Sequence, residues 1–584
     1  MSNSQTPAAS SPSKRWTILR RCLIGLAIFL TVIAAFYTEE SWRGKRAWEN
    51  CKRALEAKGL KMDWAQHIPP PVPDDQNVFA VPAMQKWFVG WGNNELSKKI
   101  SDLQNSNLPS ARIVVAEVAI GLPASTPPSG FTVISYGDAQ GKAELGRAME
   151  DAVGRSFIDP IGLAHTTRRP VEMPPAKIFL QCQSAPTAKE LEQFLPRTLN
   201  SGWRRSTGNE EPQVGPAGSG SYQVTMLARG ATADYLAQNA ALEPEFNLIR
   251  QALRRPYTRI NGDYQVPYEV PIPNFVVIRT VVQRLATLAQ CHLAQGQPEE
   301  ALRDLTLLND LCRVLESRPS GKPMTLVASM IHVAVSGLYT SAIADGLAWH
   351  AWQEPQLLAL QEQLKEINLL PDVTRSFEEE PVAICHTLET MSPAQWDKLF
   401  QIASNGVGMP KATVWQKLKA AAFHTLLPRG WIFQNMVQVA NGCQAIIDCL
   451  DPAHQMVFPK KVDAVAQSAA SHHSPYTFLA TAANPNMSKA MLITTKTQTL
   501  IHEALIACAL ERYRLAHNSY PETLDTLIPQ YLDQIPPDLI GGQPLHYRRA
   551  GDNKFLLYSI GWNEKDDGGK PGSDDDWVWD DTAR

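Results

Sequence analysis

The chain has 584 residues, of which 44% are hydrophobic, 19% charged and 8% aromatic. That balance excludes a disordered, collagen-like or wholly membrane-embedded chain and leaves ample apolar surface for a core. With 55 Lys+Arg against 58 Asp+Glu, a net of −3, the chain lacks the basic excess of a dedicated nucleic-acid binder, so no nucleic-acid partner is expected.

The N-terminus carries the clearest signal. Residues 1–21 read as a cytoplasmic leader: a Ser/Pro/Ala/Asn-rich start, then Lys14, Arg15, Arg20 and Arg21. Residues 22–38, CLIGLAIFLTVIAAFYT, are seventeen positions without a charge, followed at once by Glu39 and Glu40. A run of this length is near the lower limit for crossing about 30 Å of hydrocarbon, with Trp16 and Tyr37 at the two interfaces. Cations before the run and acids after it predict a cytoplasmic N-terminus and an extracytoplasmic body, anchored in the inner membrane. A cleaved signal peptide shares the charged start and the apolar region, and a buried helix shares the composition. Phe36 after Ala34-Ala35, together with the run's length, favours an uncleaved anchor.

Residues 39–74 read as a juxtamembrane helix and stalk. Trp42, Trp48, Leu55 and Leu60 are spread among charges, as on an amphipathic helix. Pro69, Pro70, Pro71 and Pro73 then predict an extended spacer, because proline cannot donate to a helix.

Residues 75–270 are expected to form an α+β region. Segments 112–121, 131–137, 177–183 and 221–228 have the β-branched content of strands, and 187–196 reads as a helix. Residues 271–485 are expected to be a helical domain. A hairpin over 276–296 and 297–316 has Gly296 as its stop and Pro298-Glu299-Glu300 as an acidic first turn. Its LAQG-x-x-x-EAL stretch resembles one tetratricopeptide-type unit, with no second copy at that period. The uncharged run 324–344 holds Ser329, His332, Ser336 and Thr340, and is too polar for a second span. It predicts a buried core helix with His332 hydrogen-bonded inside it. The fold class is therefore mainly α, with an N-terminal transmembrane helix, an α+β segment, a helical core and a small C-terminal α+β module.

Signatures of chemistry are sparse. Nine cysteines without a C-x-x-C pair make neither a disulfide framework nor a structural zinc site. His502-Glu503 begins like H-E-x-x-H, but position 506 is Ile. Cys385-His386 are neighbours in sequence, which does not make a catalytic pair. His472-His473 read as solvated loop residues, and Glu378-Glu379-Glu380 as a solvated face. There is no G-x-S-x-G, P-loop or dinucleotide fingerprint. No catalytic residue is assigned.

Residues 486–584 form the second informative region. A helix over 487–517 precedes a Tyr520-Pro521 turn and a short helix over 522–527. A hairpin of 542–549 and 554–561 follows, and then an acidic end with eight acids against two lysines. In this order the parts resemble the C-terminal half of the major pseudopilin of type II secretion systems. The whole chain is similar to uncharacterised bacterial single-pass membrane proteins with such an end. That resemblance implies a Ca²⁺ site made by the Ile560 carbonyl, Asn563, Asp574 and Asp576, with Ser573 beside them. Hard Ca²⁺ takes six to eight oxygens, and Asp566, Asp567 and Asp575 add to the supply. The chain departs from the family at its processing site, where Leu30 stands in place of the family's Glu. This implies a pseudopilin-like module carried on another protein.

The leading expectation is a membrane-anchored extracytoplasmic binding or scaffold protein with an envelope protein partner. The alternatives are an envelope hydrolase with an unrecognised site and an accessory part of a secretion or pilus-like system.

Overall fold

The computed structural model describes residues 14–105, 110–121, 127, 130–137, 140–145, 147–148, 176–182, 204–207, 220–229, 232–316, 325–390, 427–452, 454–471, 474–551, 554–570 and 576–580. Among the described residues the chain is mainly helical, with three small sheets.

Helix α1 (Lys14–Ala57) is one unbroken element of 44 residues, about 66 Å long at 1.5 Å per residue. Its uncharged run, residues 22–38, is apolar and stands clear of the rest of the protein. The hydroxyls of Thr31 and Thr38 donate to the carbonyls of Ala27 and Ala34, so neither needs a partner outside the helix. Its second half is built into the body: Trp48, Cys51 and Leu55 are buried with Met436, Ala440, Val382 and Cys385. The segment beyond it does not stand off as a stalk. Met62, Trp64 and Pro69 are buried, and the Trp64 indole donates to the Tyr264 carbonyl (2.9 Å). Proline removes backbone donors but still packs, so an apolar Pro-rich stretch folds onto a neighbour when one is at hand.

Two short helices, α2 (Pro82–Phe88) and α3 (Glu95–Asn105), lead into a five-stranded mixed sheet. Its strands are β1 (Ser110–Gly121), β2 (Thr132–Tyr136), β3 (Ala176–Cys182), β4 (Arg204–Thr207) and β5 (Gly220–Arg229), in the order β2-β3-β1-β5-β4. β3 runs parallel to both β1 and β2, whereas β5 is antiparallel to β1 and β4. The four expected strands are all present. β4, with the sequence RRST, shows no apolar alternation. The helix expected over 187–196 lies outside the described residues.

Helices α4 (Thr232–Asn239) and α5 (Glu243–Ala252) precede the expected hairpin of α6 (Phe275–Ala294) and α7 (Pro298–Cys312). Gly296 turns between them at φ +69°. Then come α8 (Leu326–Ala348), α9 (Glu354–Glu366), α10 (Leu369–Thr390), α11 (Arg429–Ile447), α12 (Pro459–Ser471) and α13 (Phe478–His517). The uncharged run is α8, mostly buried among α6, α7, α10 and α13.

α13 does not begin a separate module. It packs on α8, α9, α10, α11 and α12 as well as on the C-terminal strands. One continuous apolar cluster runs from Val78 to Trp579. The boundary expected at 485/486 therefore falls inside a 40-residue helix that both regions share. Asn518, left-handed at φ +56°, ends α13. Tyr520 then turns back, and its hydroxyl donates to Glu511 (3.0 Å). The two-residue strands β6 (Leu450–Asp451) and β7 (Met456–Val457) pair antiparallel between α11 and α12; further on, β8 (His546–Arg549) and β9 (Phe555–Ser559) form the expected hairpin, and β10 (Trp577–Asp580) adds a third antiparallel strand. β10 lies within the acidic end, where alternating Trp577 and Trp579 are buried.

Candidate functional site

Among the described residues, two clefts and one loop bring polar groups together. The larger cleft, about 430 Å³, opens between the end of α1, the 59–70 segment and α10. Gly59, at φ +94°, ends the helix and lets the chain turn back beneath it. His67 is the central group. Its Nε2 lies 2.9 Å from the Lys61 carbonyl and its Nδ1 lies 3.6 Å from Glu379 Oε1. The ring stacks on Trp64 with centroids 6.0 Å apart. Burial pushes its pKa down, but Glu379 and the Lys61 carbonyl together hold it above the ordinary histidine value. Burial, and then the neighbouring Glu379, raise Glu378. Lys58, Lys61 and Arg375 supply cations at the rim, with Lys58 held by Asp448 at 2.9 Å. The cleft thus offers donors and carboxylates side by side, which suits a polar segment bearing both charges.

The 378–380 run is therefore not the solvated face expected from sequence. Glu379 faces His67, and Glu380 accepts from the Leu326 amide (2.8 Å), satisfying an end group of α8. No Ser, Thr or Cys is among the described residues lining this cleft.

The smaller cleft, about 300 Å³, lies between the end of α9, α13 and the 532–537 loop. His502 Nδ1 is 3.2 Å from the Pro537 carbonyl. Burial lowers its pKa, so near neutral pH the ring is uncharged and Nδ1–H donates to that carbonyl. The other ring nitrogen is left as an acceptor. Ile506 is fully buried and cannot replace the missing second histidine of a zinc pair.

The acidic loop is organised around Asp576, which is buried. Its carboxylate accepts from the amides of Asp567 (3.2 Å), Gly569 (2.6 Å) and Lys570 (3.4 Å). Asn563 donates to Asp567 (2.8 Å) and accepts from the Lys565 amide (2.8 Å). The Ile560 amide donates to Asp538 (3.2 Å). Asp574 lies outside the described residues, as do Ser573 and Asp575. Among the described residues no three His, Cys, Asp or Glu side chains are grouped to hold a metal ion. Asp576→Asn is expected to lower the stability of the C-terminal strands by about 2 kcal/mol, because charged acceptors make the stronger bonds. Thermal unfolding followed with calcium and with chelator checks this. In the unmutated chain the same comparison tests the implied Ca²⁺ clamp: a shift supports it and no shift removes it.

The remaining sequence candidates have structural surroundings. Cys385 is buried with its sulfur near the Met436 carbonyl, and burial pushes the thiol well above its ordinary pKa, away from thiolate chemistry. All nine cysteines are free. His332 is buried, as expected, with Nδ1 3.2 Å from Asp372. His472 and His473 lie outside the described residues. The His67 cleft escaped sequence reading because its walls come from segments about 300 positions apart, with no motif linking them. No protein-family model, curated protein or solved structure matches this chain.

Proposed function

We propose that the chain is a single-pass membrane protein whose body, outside the cytoplasm, serves as a scaffold that binds an envelope protein partner through the His67 cleft. One observation carries this reading. α1 is a single helix whose residues 22–38 expose an uncharged surface suited to lipid, while Trp48, Cys51 and Leu55 further along it are part of a core. Burying that uncharged run in a bilayer removes an apolar surface that water would otherwise face. The cations Lys14, Arg15, Arg20 and Arg21 before the run support a cytoplasmic start. The His67 cleft then lies on the body, with charges of both signs set for a polar partner segment.

A hydrolase remains the second reading because His67 and Glu379 converge in one cleft, as an acid–base pair would. A fusion of alkaline phosphatase to the C-terminus tests the leading reading. Activity in intact cells is expected, and an inactive fusion together with a fluorescent cytosolic one would contradict export. Retained binding of a crosslinked partner after His67→Ala would contradict the role of the cleft.

A further inference from the structure

The point where α1 meets the body has a feature that the anchor alone does not require. Gly44 of α1 and Gly430 of α11 are in backbone contact: a Cβ on either would overlap the other helix. Glu40 is buried there, paired with Arg43 at 2.5 Å and accepting from the Tyr476 hydroxyl at 3.2 Å. Glu40 is only two residues past the uncharged run, about 3 Å along the helix axis. The N-terminus of α11 and the turn holding Tyr476 are therefore at nearly the same depth as the end of the span.

The outward side of this junction has the composition of a membrane interface. Trp42 is 62% exposed, and the Arg46 guanidinium lies 5.3 Å from its ring centroid. Lys45 and Arg429 are exposed as well. Exposed tryptophan with lysine and arginine, one to two turns beyond a span, suits the level of the phospholipid headgroups.

We propose that Trp42, Lys45 and Arg46 of α1, with Arg429 of α11, bed into the anionic phospholipid headgroups, so that the body is seated directly on the leaflet. This rests on the membrane-anchored reading and goes beyond it, because an anchored body on a flexible linker would not be seated. The occupant follows from continuity with the span and from the cationic side chains that face outward. The close helix contact leaves no linker by which the body can lift away.

The test uses the full chain in nanodiscs of phosphatidylcholine with phosphatidylglycerol. Cys22 is replaced by serine, which leaves only buried cysteines. A single spin label is placed by Phe36→Cys, Arg429→Cys or Leu515→Cys, and collision with oxygen and with a nickel chelate gives its depth. The label at 36 is expected in hydrocarbon, that at 429 at headgroup depth, and that at 515, near the other end of α13, in water. The nickel collision rate at 429 is expected to be lower than at 515 by about two-fold or more. Adding Trp42→Ala and Arg46→Glu is expected to move the 429 label toward the aqueous value. A 429 label that matches 515 while 36 stays in hydrocarbon overturns the seat and leaves the anchor standing. An aqueous label at 36 overturns the anchor itself.

Discussion

Replacing Gly430 with alanine is expected to lower the stability of the folded chain by about 3 kcal/mol, the upper end for overpacking. The added methyl would meet the Glu40 carbonyl, which is backbone and has no rotamer to turn away. α1 and α11 would have to separate, and Trp48, Cys51 and Leu55 would lose packing against Met436 and Ala440. Gly25→Ala gives the contrast. No atom lies within 4 Å of a Cβ placed there, in the exposed part of the same helix, so little change is expected. Denaturant unfolding of the detergent-solubilised chain, followed by tryptophan fluorescence, checks both. Equal effects at the two glycines would contradict the close helix contact.

The second large effect is expected at the buried histidine of α8. Burial alone would push the His332 pKa down. Cys312, Asp372 and Glu316 more than offset this and hold it up to about 10. The raised value means that the folded protein binds the proton more tightly than the unfolded chain does. The resulting stabilisation is complete below about pH 6.5 and is lost as pH rises through about 10. Asp372→Asn removes the carboxylate 3.2 Å from Nδ1 and leaves a buried cation short of a partner. A loss of about 3 kcal/mol is expected at pH 6, the low end for breaking a buried pair, since Glu316 remains at 3.9 Å. The difference between mutant and parent should shrink toward pH 10. A pH-independent difference would show that Asp372 acts through packing rather than charge.

Much of the architecture is legible in the sequence. The apolar run announces itself by the absence of charge from Cys22 to Thr38. The α6–α7 hairpin follows from Gly296 and Pro298, which stop and restart the helix. β1, β2, β3 and β5 follow from runs of Ile and Val. His332 belonged to a run too polar for lipid and too apolar for a surface, and it is inside.

What was not readable depends on meetings between distant segments. Trp48, Cys51 and Leu55 fall at helical spacing among charges, which announces a buried face but not its partner. Gly44 and Gly430 belong to no motif, and only the contact explains them. Glu379 and Glu380 have the composition of a solvated run, yet each has a separate partner on another element. Trp577 and Trp579 alternate within an acidic tail, where four residues of strand pattern are outweighed by the charge around them. The share of α13 between the helical region and the C-terminal strands could not be seen in a boundary drawn from composition.

Residues 22–38 are expected to stay in a bilayer as the tether of a folded body. Alkaline carbonate extraction of membranes holding the full chain, compared with the chain lacking residues 1–38, checks this. Retention of the full chain in the pellet with an intact N-terminus by mass, and release of the shortened chain, is the predicted result. A full chain released into the supernatant, or one recovered without its first 35 residues, would contradict it.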